Sequence, residues 1–216
     1  MNETTLHYVY DPLCGWCYGA APLLAAAAGI PGLGIALHAG GLWLGPRRQP
    51  MGEALRDYVR PHDERIQALT GQQFGTRYFD ELLLSEGLSL DSEPPIRAIL
   101  AIDELGGDGL MLLHRIQQCH YRDGRWVGSL DNLSELAAEQ GITRGAFEQA
   151  CQRVDLVGHL ADSQRWLRRL GGQGYPTLGL MQGGRITSLP TASFLGDPAA
   201  FAAHLVQAIG QGQASA

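Results

Sequence analysis

The spacing of apolar and polar positions changes twice along the chain. Leu6-His7-Tyr8-Val9-Tyr10 is a short run rich in aromatic and branched residues, broken by Asp11-Pro12-Leu13, and this predicts a strand and a turn. From Cys14 the pattern turns helical, with an Ala-rich stretch through Ala28 that stops at Gly29 and Pro31. Ile35 to Ala39 predicts a second strand, closed by Gly40-Gly41. Strand, helix and strand within about forty residues form a βαβ unit, with parallel strands and a right-handed crossover.

The middle of the chain follows a helical period. Met51 to Thr70 predicts a helix broken at Pro61, and Phe74 to Leu84 a further helical piece. Ser92 stands where a cap belongs, with Pro94-Pro95 in the first turn of a helix that runs from Ile96 to Leu105. Leu110 to Tyr121 places Leu113, Ile116 and His120 on one face. Asp131 is the expected cap of Leu133 to Gln140, and Thr143 that of the next helix. Val154 to Leu170 carries Val157, Leu160, Ala161, Leu167 and Leu170 at helical spacing.

After Gly171-Gly172-Gln173-Gly174 the period returns to that of strands. Leu178 to Met181 and Arg185 to Leu189 flank Gly183-Gly184, which predicts an antiparallel hairpin. Asp197-Pro198 opens a last helix through Ile209, and Gly210 to Ala216 reads as a frayed tail. The layout is βαβ, a helical block, then ββα. It predicts an α/β domain from 1–46 and 171–216, with 47–170 as a helical insertion packed on it.

Composition narrows the chemistry. The chain has 216 residues, 45% of them hydrophobic, and a net charge of −6, as expected of a globule with a sizeable core. All 16 basic residues are Arg. Without Lys, Schiff-base chemistry and P-loop phosphate binding are excluded. Without a basic patch, a nucleic-acid partner is not expected. No stretch approaches the ~18 apolar residues of a membrane span, and Met1 to Thr5 has no signal-peptide pattern. The expected address is therefore the cytosol.

The chemical signal is Cys14-Gly15-Trp16-Cys17 at the strand-to-helix junction. A sulfur at a helix N-terminus faces unpaired N–H groups and the positive end of the dipole, which favour the reactive thiolate. One helical turn keeps Cys17 within bonding range of Cys14. Cys14 is thus the expected nucleophile and Cys17 the resolving thiol of dithiol–disulfide exchange. A zinc site would need four ligands, and this pair supplies two; no metal is expected. Cys119 and Cys151 lie at apolar helical positions and read as packing residues. Asp11 is expected to cap the helix, with relay of a proton from Cys17 as its alternative role. His62-Asp63-Glu64 reads as a solvated polar face.

The segment Asp11-Pro12-Leu13-Cys14-Gly15-Trp16-Cys17-Tyr18-Gly19 resembles the active-site segment of DsbA-like thioredoxin-fold proteins. It is most similar to their FrnE-like branch, described as cytosolic dithiol–disulfide isomerases. The resemblance covers most of the chain and implies a thioredoxin fold interrupted by an all-helical domain. It also implies a cis-proline loop at Tyr175-Pro176-Thr177 facing the dithiol, where an extended substrate segment pairs with the backbone. Trp16 is expected to form part of the apolar contact surface.

Related proteins of the kappa glutathione transferase and 2-hydroxychromene-2-carboxylate isomerase types share the inserted-helix plan. They place a Ser at the nucleophile's position, whereas this chain has a dithiol. A non-catalytic module that binds peptides through the same fold is the other alternative.

The periplasmic oxidases of the family have Pro-His between their cysteines, and here Gly15-Trp16 offers no histidine. A cytosolic poise near ~−220 to −320 mV would hold a couple of ~−120 to −270 mV mostly reduced. The sequence therefore predicts a reductase or isomerase of protein or small-molecule disulfides. Glutathione or a thioredoxin-type protein is its expected thiol reductant, and no tightly bound cofactor is expected.

Overall fold

The structure is a computed structural model that describes residues 4–214, with side chains through residue 211. Four strands form one sheet: β1 (Thr4–Tyr10), β2 (Leu33–Ala39), β5 (Thr177–Gln182) and β6 (Arg185–Leu189), in the order β2-β1-β5-β6. β1 runs parallel to β2 and antiparallel to β5, and β5 runs antiparallel to β6. The β5–β6 turn is Gly183-Gly184, with φ of 56° and 79°, the left-handed pair that a two-residue hairpin requires. Two further short strands, β3 (Gln49–Pro50) and β4 (Ser89–Leu90), pair with each other outside this sheet.

Alternation along β1 sends its side chains to opposite faces. Leu6, Tyr8 and Tyr10 turn towards helix α1 (Gly15–Ala28), and the Tyr8 hydroxyl donates to the Cys17 carbonyl at 3.4 Å. His7 turns the other way and stacks on Trp166, with ring centroids 3.6 Å apart. Trp166 belongs to α8 (Leu156–Arg169), so this helix of the middle segment lies against the sheet itself. The last helix, α9 (Pro198–Ala214), packs beside α1. It continues past Ile209, so the expected fraying from Gly210 does not occur through Ala214, and residues 215–216 lie outside the described chain. The architecture is a thioredoxin fold interrupted by helices.

Between β3 and α8 lie α2 (Glu53–Thr70), α3 (Thr76–Asp80), α4 (Glu93–Glu104), α5 (Gly109–Gln117), α6 (Leu130–Ala138) and α7 (Arg144–Arg153). Helix α2 runs unbroken through Pro61. A proline costs an interior helix about 3 kcal/mol, and the buried positions Leu55 and Ile66 on either side of it hold the helix against the core. Gly15 and Gly19 form a notch that admits α2, because a Cβ on Gly19 would lie 2.8 Å from Ile66 Cγ2.

Several caps differ from expectation. Ser92 precedes α4 but makes no cap bond, because its hydroxyl is committed elsewhere and Asp91 accepts from the Glu93 amide instead. Helix α6 begins earlier than expected, so Ser129 is its cap and Asp131 sits in its first turn, paired with Arg144. Asp155 caps α8 and turns Val157 outward, 78% exposed. The segment expected to run as one helix to Tyr121 widens into a π turn over Gln118–Arg122.

That π turn buries His120 with its Nδ1 unpaired, edge-on to Tyr78 and Tyr121. Burial lowers its pKa from 6.5 to about 3. The folded ring stays neutral where the unfolded chain takes up a proton, so stability is full above 6.5 and falls as pH drops towards 3. The limiting slope is about 1.4 kcal/mol per pH unit. In urea unfolding at pH 7 and pH 5, His120→Leu should lose less stability on acidification than the parent. An unchanged difference would refute the assignment.

Candidate active site

The end of β1 delivers the chain into the turn Asp11-Pro12-Leu13 and then into α1. Cys14 is the N-cap residue of that helix, in extended geometry (φ −98°, ψ 115°) with no side-chain cap. Its carbonyl accepts from the Cys17 and Tyr18 amides at 2.9 and 3.0 Å, which closes the first turn. Cys14 is 8% exposed and Cys17 is fully buried beneath it, and both are free thiols. Burial pushes the Cys17 thiol well above its ordinary value, and a hydrogen bond and charge interaction with Cys14 push it the same way.

Pairing of β1 with β5 brings a second segment to this point, since Val9 lies opposite Thr177. The Tyr175–Pro176 bond is cis. The Cys14 thiol lies 3.7 Å from the Tyr175 carbonyl, which it faces as donor. Thr177 donates through its hydroxyl to Gly174 O at 2.8 Å and holds the loop closed. The Tyr175 ring fills the place where a Cβ on Gly40 would be, 2.1 Å from its ring carbons and hydroxyl. Trp16 is half-buried on the other side, with the Arg65 guanidinium 5.9 Å from its ring centroid. The Tyr175 carbonyl thus faces the Cys14 sulfur; Trp16 and Cys17 follow Cys14 in the first turn of α1, and Pro176 and Thr177 follow Tyr175 in the chain.

Asp11 belongs to the same place but does not cap α1. It is fully buried, and its Oδ1 accepts from the Leu13 amide (2.8 Å) and the Ser92 hydroxyl (3.1 Å). Its Oδ2 accepts from the Leu42 amide at 2.6 Å. Leu13 precedes the helix, so these bonds brace the turn and leave the helical amides free. Ser92 Oγ in turn accepts from the Trp43 amide (3.0 Å), and Trp43 Nε1 donates to the Leu13 carbonyl at 3.1 Å. Burial raises the Asp11 carboxyl above its usual range, against four hydrogen bonds that lower it.

Nothing in the local sequence singles out Ser92, Trp43 or Gly40 as parts of this site. The one local signal was Gly40-Gly41, legible only as a strand stop.

The remaining candidates lie apart. Cys119 and Cys151 are buried, and desolvation raises both thiols, Cys151 to about 11. Cys151 lines a separate cavity of about 560 Å³ with Arg48, Arg97 and Leu133. Among the described residues, no group of three or more His, Cys, Asp or Glu is arranged to hold a metal ion. Asp63, expected on a solvated face, is instead 4% exposed, because the face of α2 that carries it is pressed onto Gly15.

Two substitutions test this geometry. Asp11→Ala strands several buried donors at about 1–3 kcal/mol each, so chemical denaturation should show a loss of about 3 kcal/mol or more. Gly40→Ala should leave the far-ultraviolet spectrum intact while it displaces the Tyr175 ring and slows Cys14 alkylation or disulfide reduction several-fold. Parental rates would show that the ring's position does not matter.

No family model and no curated protein matches the chain, but solved structures do. The cytosolic disulfide reductase DsbM from Pseudomonas aeruginosa is 47% identical, with a TM-score of 0.88, over 96% of this chain and 99% of that one. A structure of the same reductase with GSH matches at 47% identity and a TM-score of 0.86, over 95% and 98% of the two chains. A candidate protein disulfide isomerase from Nitrosomonas europaea shares the fold at 23% identity and a TM-score of 0.79, over 97% and 98%. None of the described helices is long and apolar enough to cross a membrane. With this identity across nearly the full length of both chains, the protein belongs to the DsbA-like family of thioredoxin-fold dithiol–disulfide oxidoreductases.

Proposed function

We propose that the protein is a cytosolic disulfide reductase with isomerase capacity, of the FrnE-like type, working through Cys14 as nucleophile and Cys17 as resolving thiol. The observation that carries this reading is the meeting of a sulfur at the N-cap of α1 with the carbonyl of Tyr175. Amides that open a helix favour an anion there. The neighbouring loop offers backbone to an extended substrate strand.

In the proposed cycle the Cys14 thiolate attacks one sulfur of a substrate disulfide and expels the other as a thiolate, which takes up a proton. Burial keeps Cys17 protonated until then, so only one sulfur of the pair competes for substrate. Cys17 next gives up its proton and attacks the Cys14 sulfur, releasing the second substrate thiol. Two electrons and two protons have passed to the substrate, and a Cys14–Cys17 disulfide remains. Two molecules of a thiol reductant restore the dithiol. Glutathione is the proposed reductant, supported by the likeness to a reductase solved with GSH. Trp16, Tyr175, Pro176 and Thr177 are the proposed substrate contacts.

Insulin reduction with glutathione or dithiothreitol tests this. The parent should accelerate precipitation, Cys14→Ala should fall to the uncatalysed rate, and Cys17→Ala should accumulate a mixed disulfide on Cys14. No acceleration by the parent would overturn the proposal. Glutathione-dependent turnover that survives Cys17→Ala would favour the transferase or isomerase alternative.

A further inference from the structure

We propose that Asp63 is a positioning residue for the dithiol: its carboxyl group and the Cys14 sulfur compete for one negative charge at the start of α1, so a protonated Asp63 favours the Cys14 thiolate. The inference rests on the dithiol reading above and adds to it a control element supplied by the helical insertion.

The placement comes first. Asp63 Oδ1 lies 2.6 Å from the point a Cβ on Gly15 would occupy, and Gly15 follows Cys14 directly. Only a glycine at 15 lets the carboxyl group come this near the opening turn of α1. Asp63 Oδ2 accepts a 2.9 Å hydrogen bond from the Tyr78 hydroxyl. Tyr121 stands beside Tyr78, with centroids 5.2 Å apart, and stacks on Tyr18 of α1 at 5.0 Å, so this side of the carboxyl group is walled by rings.

The charges around it leave it without a counter-ion. From α1 it faces Gly15, the residue after Cys14, from α3 it meets Tyr78, and beyond Tyr78, on the π turn, stand Tyr121 and the buried His120. On α2 itself, Arg60 is paired with Asp80 at 2.7 Å, and Arg65 lies over Trp16. The His62 ring lies tilted against Tyr58, with centroids 5.5 Å apart. Among the described residues no cation pairs with Asp63. Desolvation accordingly raises its pKa from 3.8 to about 7, opposed only by the Tyr78 hydrogen bond, and His120 stays neutral there. Tyr121 lies in the field of both Asp63 and Cys14, with Asp11 also acting on it.

In a dry site two negative charges on neighbouring elements oppose one another. Once Asp63 ionises, a second negative charge on Cys14 is opposed, and the thiolate forms at higher pH. A less favoured thiolate also destabilises the reduced pair, which makes it the stronger reductant. The insertion thus sets both the pH at which Cys14 reacts and the direction in which the pair is poised.

The test measures the pH dependence of Cys14 alkylation by iodoacetamide and the Cys14–Cys17 potential against glutathione. Asp63→Asn should lower the alkylation midpoint by about one pH unit, roughly a tenfold gain in thiolate at a fixed pH below it. It should also collapse a broad titration to a single proton and raise the potential. Tyr78→Phe removes the bond that favours ionised Asp63, and should shift the midpoint and the potential the same way by less. It decides the matter if Asp63→Asn does not fold. An unchanged midpoint, profile width and potential in the folded variants would overturn the proposal. Failure of the dithiol reading looks different: Cys14 in the parent would then react no faster than free cysteine.

Discussion

The carboxyl group of Asp11 takes four hydrogen bonds inside the protein, from three separate segments of the chain. The Leu13 amide belongs to the turn that launches α1, the Leu42 and Gly41 amides to the loop after β2, and the Ser92 hydroxyl to the entry of α4. A buried carboxyl group is costly unless every lone pair finds a donor. The requirement works in reverse too, since each amide turned inward needs that acceptor. The strand-to-helix turn, the β2 exit and the helical insertion are therefore fixed relative to one another at one atom group. Cys14 sits three residues further along a backbone that has little freedom left, and its own amide bonds back to the Asp11 carbonyl at 3.2 Å.

Around this anchor the two halves of the molecule divide the work. The sheet aligns the Cys14 turn with the Tyr175 loop through the register of β1 and β5, which strand pairing sets over six residue pairs. The insertion covers α1 from the side, with α2 in the Gly15–Gly19 notch and the rings of Phe74 and Tyr121 against Tyr18. One half thus sets the sulfur against the Tyr175 carbonyl. The other keeps water away from the sulfur's flank.

The parts of this arrangement governed by local rules were legible in the sequence. Two strands around an Ala-rich helix, a Gly-Gly hairpin and a dithiol at a strand end are each written in consecutive residues. What was hidden depends on partners distant in the chain. Pro61 reads as a break until the flanking apolar positions find their core, and Ser92 reads as a cap until Asp11, eighty-one residues away, claims its hydroxyl. Asp63 stands between His62 and Glu64 in a polar stretch, so its sequence context indicates solvent. Its burial follows from a missing Cβ on another helix, and periodicity along α2 alone does not carry that information.

The same missing Cβ limits how the molecule can change. In a CxxC motif the two inner residues are the obvious place to alter a dithiol, because they contact its sulfurs and lie in its helical turn. Here the first of them is also the floor on which a helix from the insertion rests. Any larger residue at 15 would have to move Asp63, and Ile66 Cδ1 at 3.1 Å behind it, before it could act on Cys14. Variation at that position is therefore tied to compensating change some fifty residues away, and the motif and the insertion can diversify only as a pair.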